Sequence, residues 1–165
     1  MKSKEEIKQS KAVKKPKNRH LDVIVKAKEL YALPPTERNV DDKTALIDDV
    51  GFASGFGEPK KNYQTLVFKD YQMTWDIKVE DKNGRDKDYD VELVSISHNS
   101  TPPDNPNFFN ENKLEPDGNN KTITGTITNT PNLPDLDDNY TINFNIVYEG
   151  VSNSFPLDPK LKANS

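Results

Sequence analysis

The sequence contains no cysteine among its 165 residues. Disulfide bonds, thiolate nucleophiles, iron–sulfur clusters and thiolate zinc sites are therefore all excluded. Histidine is nearly as scarce, because His20 and His98 are the only two imidazoles. Nothing between them completes an H-x-x-x-H zinc motif, and neither lies beside a G-x-S-x-G nucleophile motif. The sequence thus predicts neither a zinc site nor a Ser-His-Asp catalytic site.

Apolar residues are also few. They make up 32% of the chain, and the mean hydropathy is -0.90, whereas average globular chains are roughly 45–50% apolar. We therefore expect a thin core and extensive loops. No apolar run approaches the ~18 residues of a membrane span, and residues 1–20 lack the apolar segment of a secretory signal peptide. The composition predicts a cytoplasmic protein that does not enter a membrane.

Charge is divided unequally along the chain. Residues 1–19 carry seven Lys and one Arg against two Glu, a net charge of +6, which leaves -10 on residues 20–165 for the total of -4. We interpret residues 1–19 as a basic flexible arm that reaches an acidic partner, either nucleic acid or the body of a neighbouring copy. The predicted contact residues of this arm are Lys14, Lys15, Lys17 and Arg19.

The arm contains no aromatic residue, so it cannot stack on bases. Nucleic acid is consequently disfavoured as the partner, and another protein copy is favoured. The alternative is a solvated leader that only keeps the chain soluble, as Lys-rich termini commonly do.

Alternation of apolar and polar residues predicts several strands in the first half of the body. HLDVIVKA (20–27) has this alternation, although LDVIVKAKELYAL also contains good helix formers, so a helix is the alternative there. QMTWDIKVE (72–80) and YDVELVSIS (89–97) alternate as well, and Trp75 falls on the inward face. Asn83-Gly84 between them is typical of a type I′ turn, which predicts that they form a hairpin.

The second half continues the pattern. QTLVFKD (64–70), KTITGTITN (121–129) and a stretch near SNSFPLD (152–158) predict strands, with Gly125 where another group approaches the backbone closely. The longest alternation predicts a central strand with these inward residues: Tyr140, Ile142, Phe144, Ile146 and Tyr148. The polar residues before Tyr140 resemble the entry to a tyrosine corner, in which the phenol hydroxyl binds the preceding loop.

About seven strands, two long loops and no convincing helix indicate an all-β fold. We predict an antiparallel immunoglobulin-like β-sandwich over residues 20–165, with long loops at 32–62 and 98–120. GFASGFG (51–57) matches neither a dinucleotide nor a Walker spacing. Its two phenylalanines are expected to hold the first loop against the body.

The second loop is longer than the 12–15 residues that connections seldom exceed unless they carry function. Phe108 and Phe109 are its principal apolar residues, and we predict them as partner-binding residues. Loops on rigid scaffolds often form binding sites. The alternative function is therefore a ligand-binding or protein-binding β-sandwich module whose site is formed by 32–62 and 98–120.

Carboxylates supply the one metal hypothesis, which is calcium. One group precedes the central strand and comprises Asp135, Asp137 and Asp138. The other surrounds Gly84 and comprises Asp81, Asn83, Asp86 and Asp88. Neither group has EF-hand spacing, so we predict no metal and no cofactor. A hydrolase that uses paired carboxylates is a third alternative, but no motif supports it, and we predict a non-enzymatic protein.

Four stretches of this sequence resemble the PixA/AidA family of bacterial inclusion-body proteins. They are LDVIVKA (21–27), DVELVSISHNS (90–100), NYTINFNIVYEG (139–150) and FPLDPKLKAN (155–164). The resemblance implies an all-β sandwich that accumulates or assembles, and it implies no catalytic residue. The leading prediction is therefore a structural protein that self-associates as a homo-oligomer or packs into a larger bacterial or phage assembly.

Overall fold

The computed structural model describes residues 15–99, 105–130 and 137–163. Strands account for 48% and helices for 11% of the structure, so the fold is all-β. The strands in chain order are β1 (Arg19–Val25), β2 (Thr44–Asp48), β3 (Ala53–Ser54), β4 (Gln64–Val67), β5 (Gln72–Val79), β6 (Tyr89–His98), β7 (Lys113–Leu114), β8 (Thr122–Thr126), β9 (Asp137–Tyr148), β10 (Val151–Leu157) and β11 (Lys160–Ala163).

Two short helices accompany the strands. They are α1 (Ala27–Tyr31) and α2 (Glu37–Lys43), and a 3₁₀ turn spans Lys60–Asn62. With five and seven residues, neither of these helices of the described chain is long enough to cross a membrane.

The strands form two mixed sheets. The first has the order β3-β2-β1-β5-β8, and the second has the order β4-β11-β9-β6-β7 with β10 also paired to β9. The expectation of purely antiparallel sheets was wrong, because β1 pairs with β5, and β4 with β11, in parallel. Between β1 and β5 the chain leaves the first sheet to form β4 in the second. Such long crossovers are what parallel pairing requires.

The predicted hairpin of residues 72–97 is absent, because β5 and β6 lie in different sheets. The segment between them carries the chain from one sheet to the other. Gly84 does not have the positive φ of a type I′ turn. Two consecutive positive φ angles occur instead at Glu149 and Gly150, with φ of 51° and 78°. These residues join β9 to β10 in a two-residue turn. Their backbone twist matches that of the paired strands.

Two predictions for the first 62 residues need correction. The predicted loop 32–62 contains α2, β2 and β3, and β2 extends the first sheet by pairing with β1. Thr36 Oγ1 accepts a hydrogen bond from the Asn39 amide and so caps the start of α2. For residues 20–31 both alternatives hold in part, since a strand ends at Val25 and a helix begins at Ala27.

The two sheets share one core, in which Trp75 contacts Tyr140. Both side chains are buried, as predicted. The Trp75 indole N–H donates to the Tyr140 hydroxyl at 3.1 Å, so this hydroxyl is bound across the two sheets. The tyrosine corner stays a prediction, because residues 131–136 of the loop before β9 lie outside the described residues. The predicted inward face of β9 is confirmed, with Tyr148 half-buried and stacked on Tyr89.

The apolar residues of the segment 105–120 pack into the core, whereas most of its other residues are exposed. Phe108 is 0% exposed and Phe109 is 7% exposed. Neither ring is therefore on the surface, where a partner-binding role would require it. The predicted close approach at Gly125 is confirmed, because a Cβ there would lie 2.6 Å from Leu114 Cδ1 and 2.8 Å from Phe109 Cε1. Glycine leaves the room into which these side chains pack.

Replacement of Gly125 by alanine should destabilise the protein by about 1–3 kcal/mol, because the added methyl overfills this part of the core. Urea denaturation followed by Trp75 fluorescence measures the change. Gly55→Ala is the matched control, since its Cβ would meet nothing closer than 3.6 Å. Equal stability of the two variants would contradict the packing described above.

Candidate functional site

The junction between the N-terminal segment and the body is built around Arg19. This residue begins β1, and its side chain is fully buried together with that of Asp48. The guanidinium donates to Asp48 Oδ2 at 3.0 Å and to Asp49 Oδ1 at 2.9 Å, and it also donates to the Leu66 carbonyl. Asp48 Oδ1 in turn accepts two amides of the turn between β2 and β3. The junction is a charged structural network.

Lys17 extends this network to the surface. Its Nζ lies 2.7 Å from Asp49 Oδ2. Burial acts to raise the pKa of Asp49, but the hydrogen bonds from Lys17 and Arg19 outweigh burial and hold that pKa below its usual value. Asn18 also contacts the body, where its side-chain oxygen accepts the Gln72 amide at 2.9 Å. The body carboxylates therefore bind cations of the N-terminal segment within one chain.

These contacts locate the predicted arm residues. Arg19 is part of a strand, so the predicted boundary at residue 19 falls within the folded body. Lys17 is ion-paired, Lys15 is exposed, and Lys14 lies outside the described residues. The net charge of residues 1–19 does not distinguish the buried Arg19 from the exposed lysines before it.

A cleft of about 700 Å³ opens where β5 ends and β6 begins. Its apolar lining consists of Ile77, Val79, Tyr89 and Val91. Its charged lining consists of Lys78, Lys82, Lys87, Lys121, Asp86, Asp88 and Asp90. Lys121 pairs with Asp90, whereas Lys82 and Lys87 are exposed to solvent. The cleft combines an apolar floor with cations at its rim.

The segment that connects β5 to β6 lies beside this cleft, and Asp86 fixes it in place through several contacts. This buried carboxylate accepts the Lys28 amide at 2.9 Å and the Asp81 amide at 3.1 Å, and it pairs with Arg85 at 2.8 Å. Burial favours a raised pKa for Asp86, but these contacts lower it. Because Arg85 is the cation that Asp86 binds, this carboxylate is already neutralised, which argues against the calcium hypothesis around Gly84.

The second calcium hypothesis concerned the start of β9. Asp135 lies outside the described residues. Asp137 and Asp138 are neighbours in a strand and therefore point to opposite faces. Asp137 lies 3.6 Å from Lys162 Nζ, and Asp138 faces His98 at 3.5 Å. These two carboxylates do not converge on a common ion.

The buried carboxylate of Asp138 lies beside the partly buried imidazole of His98. Burial is the main reason that the pKa of Asp138 is raised to about 6. One oxygen of Asp138 accepts the Phe108 amide at 3.1 Å. The neighbouring Ser97 hydroxyl binds Asn143 at 2.9 Å on the other face of β6. The nearest serine in sequence is thus directed away from this histidine.

A third group of candidate metal ligands was not predicted from the sequence. His20, Asp22 and Asp76 converge on the outer face of the first sheet, with ligand atoms all within 4.8 Å of one another. His20 and Asp22 are two residues apart in β1, a spacing that places both on one face. Only the pairing of β1 with β5 adds Asp76. Within the described residues, this is the group whose donor atoms could hold a metal ion.

No family model and no curated protein matches this chain. The geometry of the junction, the cleft and the His20 group is therefore what bears on its function.

Substitution of Arg19 by methionine should destabilise the protein by about 3–5 kcal/mol, because it leaves the buried Asp48 carboxylate without its guanidinium. Lys17→Met is the matched control, and we expect it to cost less than about 1 kcal/mol, since Lys17 is 44% exposed. Chemical denaturation of both variants measures the difference. Similar losses would show that the junction is a surface contact.

Proposed function

We propose that this chain is a non-enzymatic structural protein that self-associates through its N-terminal segment. The basic segment of one copy contacts the acidic body of another. The observation that supports this proposal is the junction, where Asp48 and Asp49 already bind Arg19 and Lys17 of the same chain. Residues 1–14 carry five further lysines against two glutamates, while residues 20–165 carry a net charge of -10.

The sheet edges limit strand pairing with another copy at some places only. Among the described residues, two edge strands, β3 and β7, are only two residues long, whereas β10, which pairs only with β9, has seven. Short edges offer few free backbone groups to another chain, which is a common protection against uncontrolled aggregation. We expect the assembly to use side-chain charge contacts rather than these short edges.

An immunoglobulin-like sandwich related to the PixA/AidA proteins would suit this role, and we retain both as proposals. Two stacked sheets with one shared core fit such a sandwich. The parallel pairings of β1 with β5 and of β4 with β11 distinguish this chain from a purely antiparallel arrangement.

Light scattering after size-exclusion chromatography tests self-association. The full chain should exceed its 18.7 kDa monomer mass at low salt and approach it at about 0.5 M salt, where the screening length falls to on the order of 4 Å. Residues 15–165, which keep Lys17 and Arg19 in place, should be monomeric in both conditions. A chain that starts at residue 20 would instead lack the buried guanidinium of Arg19. Its failure to assemble could then result from loss of folding.

Two charge variants of the full chain serve as matched controls. Replacement of the five lysines of residues 1–14 by glutamine should reproduce the truncation, whereas replacement of Glu5 and Glu6 by glutamine should strengthen association. A full chain that is monomeric at every salt concentration, or a truncated chain that still assembles, would contradict the proposal.

A second candidate function is ligand binding in the cleft between β5 and β6. The cleft is formed by residues 77–91 and Lys121, not by the loops 32–62 and 98–120 of the sequence prediction. An apolar floor with lysines at the rim suits an amphiphilic anion, whose apolar part would lie on the floor and whose anionic group would meet the lysines. The cleft volume of about 700 Å³ is within the range of small-molecule sites.

Anilinonaphthalene sulfonate, an apolar fluorophore with one anionic group, is a suitable probe of the cleft. Replacement of both Lys82 and Lys87 by glutamine should weaken its binding by about two- to thirtyfold, at about 0.2–1 kcal/mol for each exposed charge contact. Fluorescence titration measures the dissociation constant. Lys69→Gln, an exposed lysine elsewhere, is the control, and an equal effect there would refute a specific site.

A further inference from the structure

Three ligand atoms converge on the outer face of the first sheet. The parallel register of β1 and β5 places Asp22 directly opposite Asp76, and His20 lies two residues before Asp22 on the same face. His20 Nε2 is 3.0 Å from Asp22 Oδ1 and 3.0 Å from Asp76 Oδ2. One imidazole nitrogen therefore faces two carboxylate oxygens at once.

A hydrogen bond satisfies only part of this arrangement. Nε2 carries at most one hydrogen, which must be shared if both oxygens are to be bound. A cation placed among the three atoms would contact each of them directly. A metal ion would thus satisfy all three atoms at once, which one hydrogen does only when it is shared.

We propose that His20, Asp22 and Asp76 bind a first-row divalent metal ion as three ligands of an octahedral coordination shell. With metal–ligand bonds of about 2.1 Å, adjacent ligands of an octahedron lie about 3.0 Å apart, whereas those of a tetrahedron lie about 3.4 Å apart. The separations of 3.0 Å from Nε2 to each oxygen are those of adjacent octahedral ligands, and all three ligand atoms lie within 4.8 Å of one another. Two carboxylates balance the charge of the ion, and solvent completes its shell.

A neighbouring hydroxyl orients one of the ligands for this role. Asp76 Oδ1 accepts a hydrogen bond from the Thr122 hydroxyl, which leaves Oδ2 directed at His20. A contact of this kind to the second oxygen of a ligand tunes metal affinity in known sites. Asp22 Oδ2 lies 4.0 Å from Lys78 Nζ, an ammonium that competes with a metal ion for this carboxylate.

The position of the group in the fold suits an ion exchanging with solvent. Its three side chains are between 31% and 38% exposed, so water can reach the coordination sphere. Their neighbours in the two strands face the core, since Leu21, before Asp22, and Trp75, before Asp76, are both fully buried. The ligands thus project from two adjacent inner strands of a sheet, which fixes their separation more firmly than a loop would.

Manganese(II) alone is the probe, because its octahedral preference and its oxygen and imidazole ligands fit the group. Titration of the full chain should bind one Mn²⁺, detected by loss of the free-ion electron paramagnetic resonance signal. The paramagnetic ion should also broaden the His20 ring resonances in the NMR spectrum. His98, the only other histidine, lies in the second sheet and serves as an internal control.

Substitution of either ligand carboxylate tests the assignment. Asp22→Asn and Asp76→Asn should each weaken Mn²⁺ binding at least about tenfold, whereas Asp90→Asn, an exposed carboxylate in β6, should not. Lys78→Gln should tighten binding, because it removes the ammonium that competes for Asp22. Tighter Mn²⁺ binding by Lys78→Gln cannot result from unfolding. Far-UV circular dichroism checks that Asp22→Asn and Asp76→Asn are folded.

Cobalt(II) reports the geometry independently. Octahedral coordination should give weak visible absorption, and intense bands would indicate a tetrahedral site and overturn the octahedral assignment. Absence of saturable Mn²⁺ binding, or equal binding by the wild type and Asp22→Asn, would overturn the site itself and assign the group to an ion pair only. The Co²⁺ and Mn²⁺ results do not test self-association, because that proposal depends on the N-terminal segment and its junction with the body.

Discussion

The contact between Trp75 and Tyr140 is the constraint on which the rest of the fold depends. A chain that is only 32% apolar has few large side chains to bury, and these two are among the largest that are fully buried in the core shared by the sheets. Each carries a polar atom that must be satisfied when buried, and the indole N–H and the phenol oxygen satisfy one another. Phe109 packs against Trp75 at 5.9 Å between ring centroids. The sheets are thereby fixed face to face.

At the edge of this core, buried charge replaces apolar packing. Arg19 occupies an inward position of β1 and is neutralised by Asp48 at the end of β2 and by Asp49 directly after it. Removing a charge from water is costly unless it is paired and hydrogen-bonded, and here every contact of the guanidinium is to an acceptor of the body. The same carboxylates pair with Lys17 as well as with Arg19, within one chain. Folding therefore depends on residues 17–19, whereas the proposed assembly depends on the lysines that precede them.

The mixed topology has a consequence for the surface. Parallel pairing of β1 with β5 brings His20, Asp22 and Asp76 together on the outer face of the first sheet. The hairpin that Asn83-Gly84 suggested says nothing of a β1–β5 pairing and does not by itself place Asp76 beside His20. The turn segment instead packs against α1 through Asp86, which binds the Lys28 amide. A tertiary contact has overridden a local turn preference.

Local chemistry determined which residues form strands and which face the core. Alternation of side chains across a pleat is a property of the chain itself, so the inward residues of β1, β5 and β9 and the tight approach at Gly125 could be read from the sequence. Strand partners, the burial of Arg19 and of Phe108, and the meeting of His20 with Asp76 were decided only by the tertiary structure. These depend on contacts between residues far apart in the chain, and no local pattern encodes them.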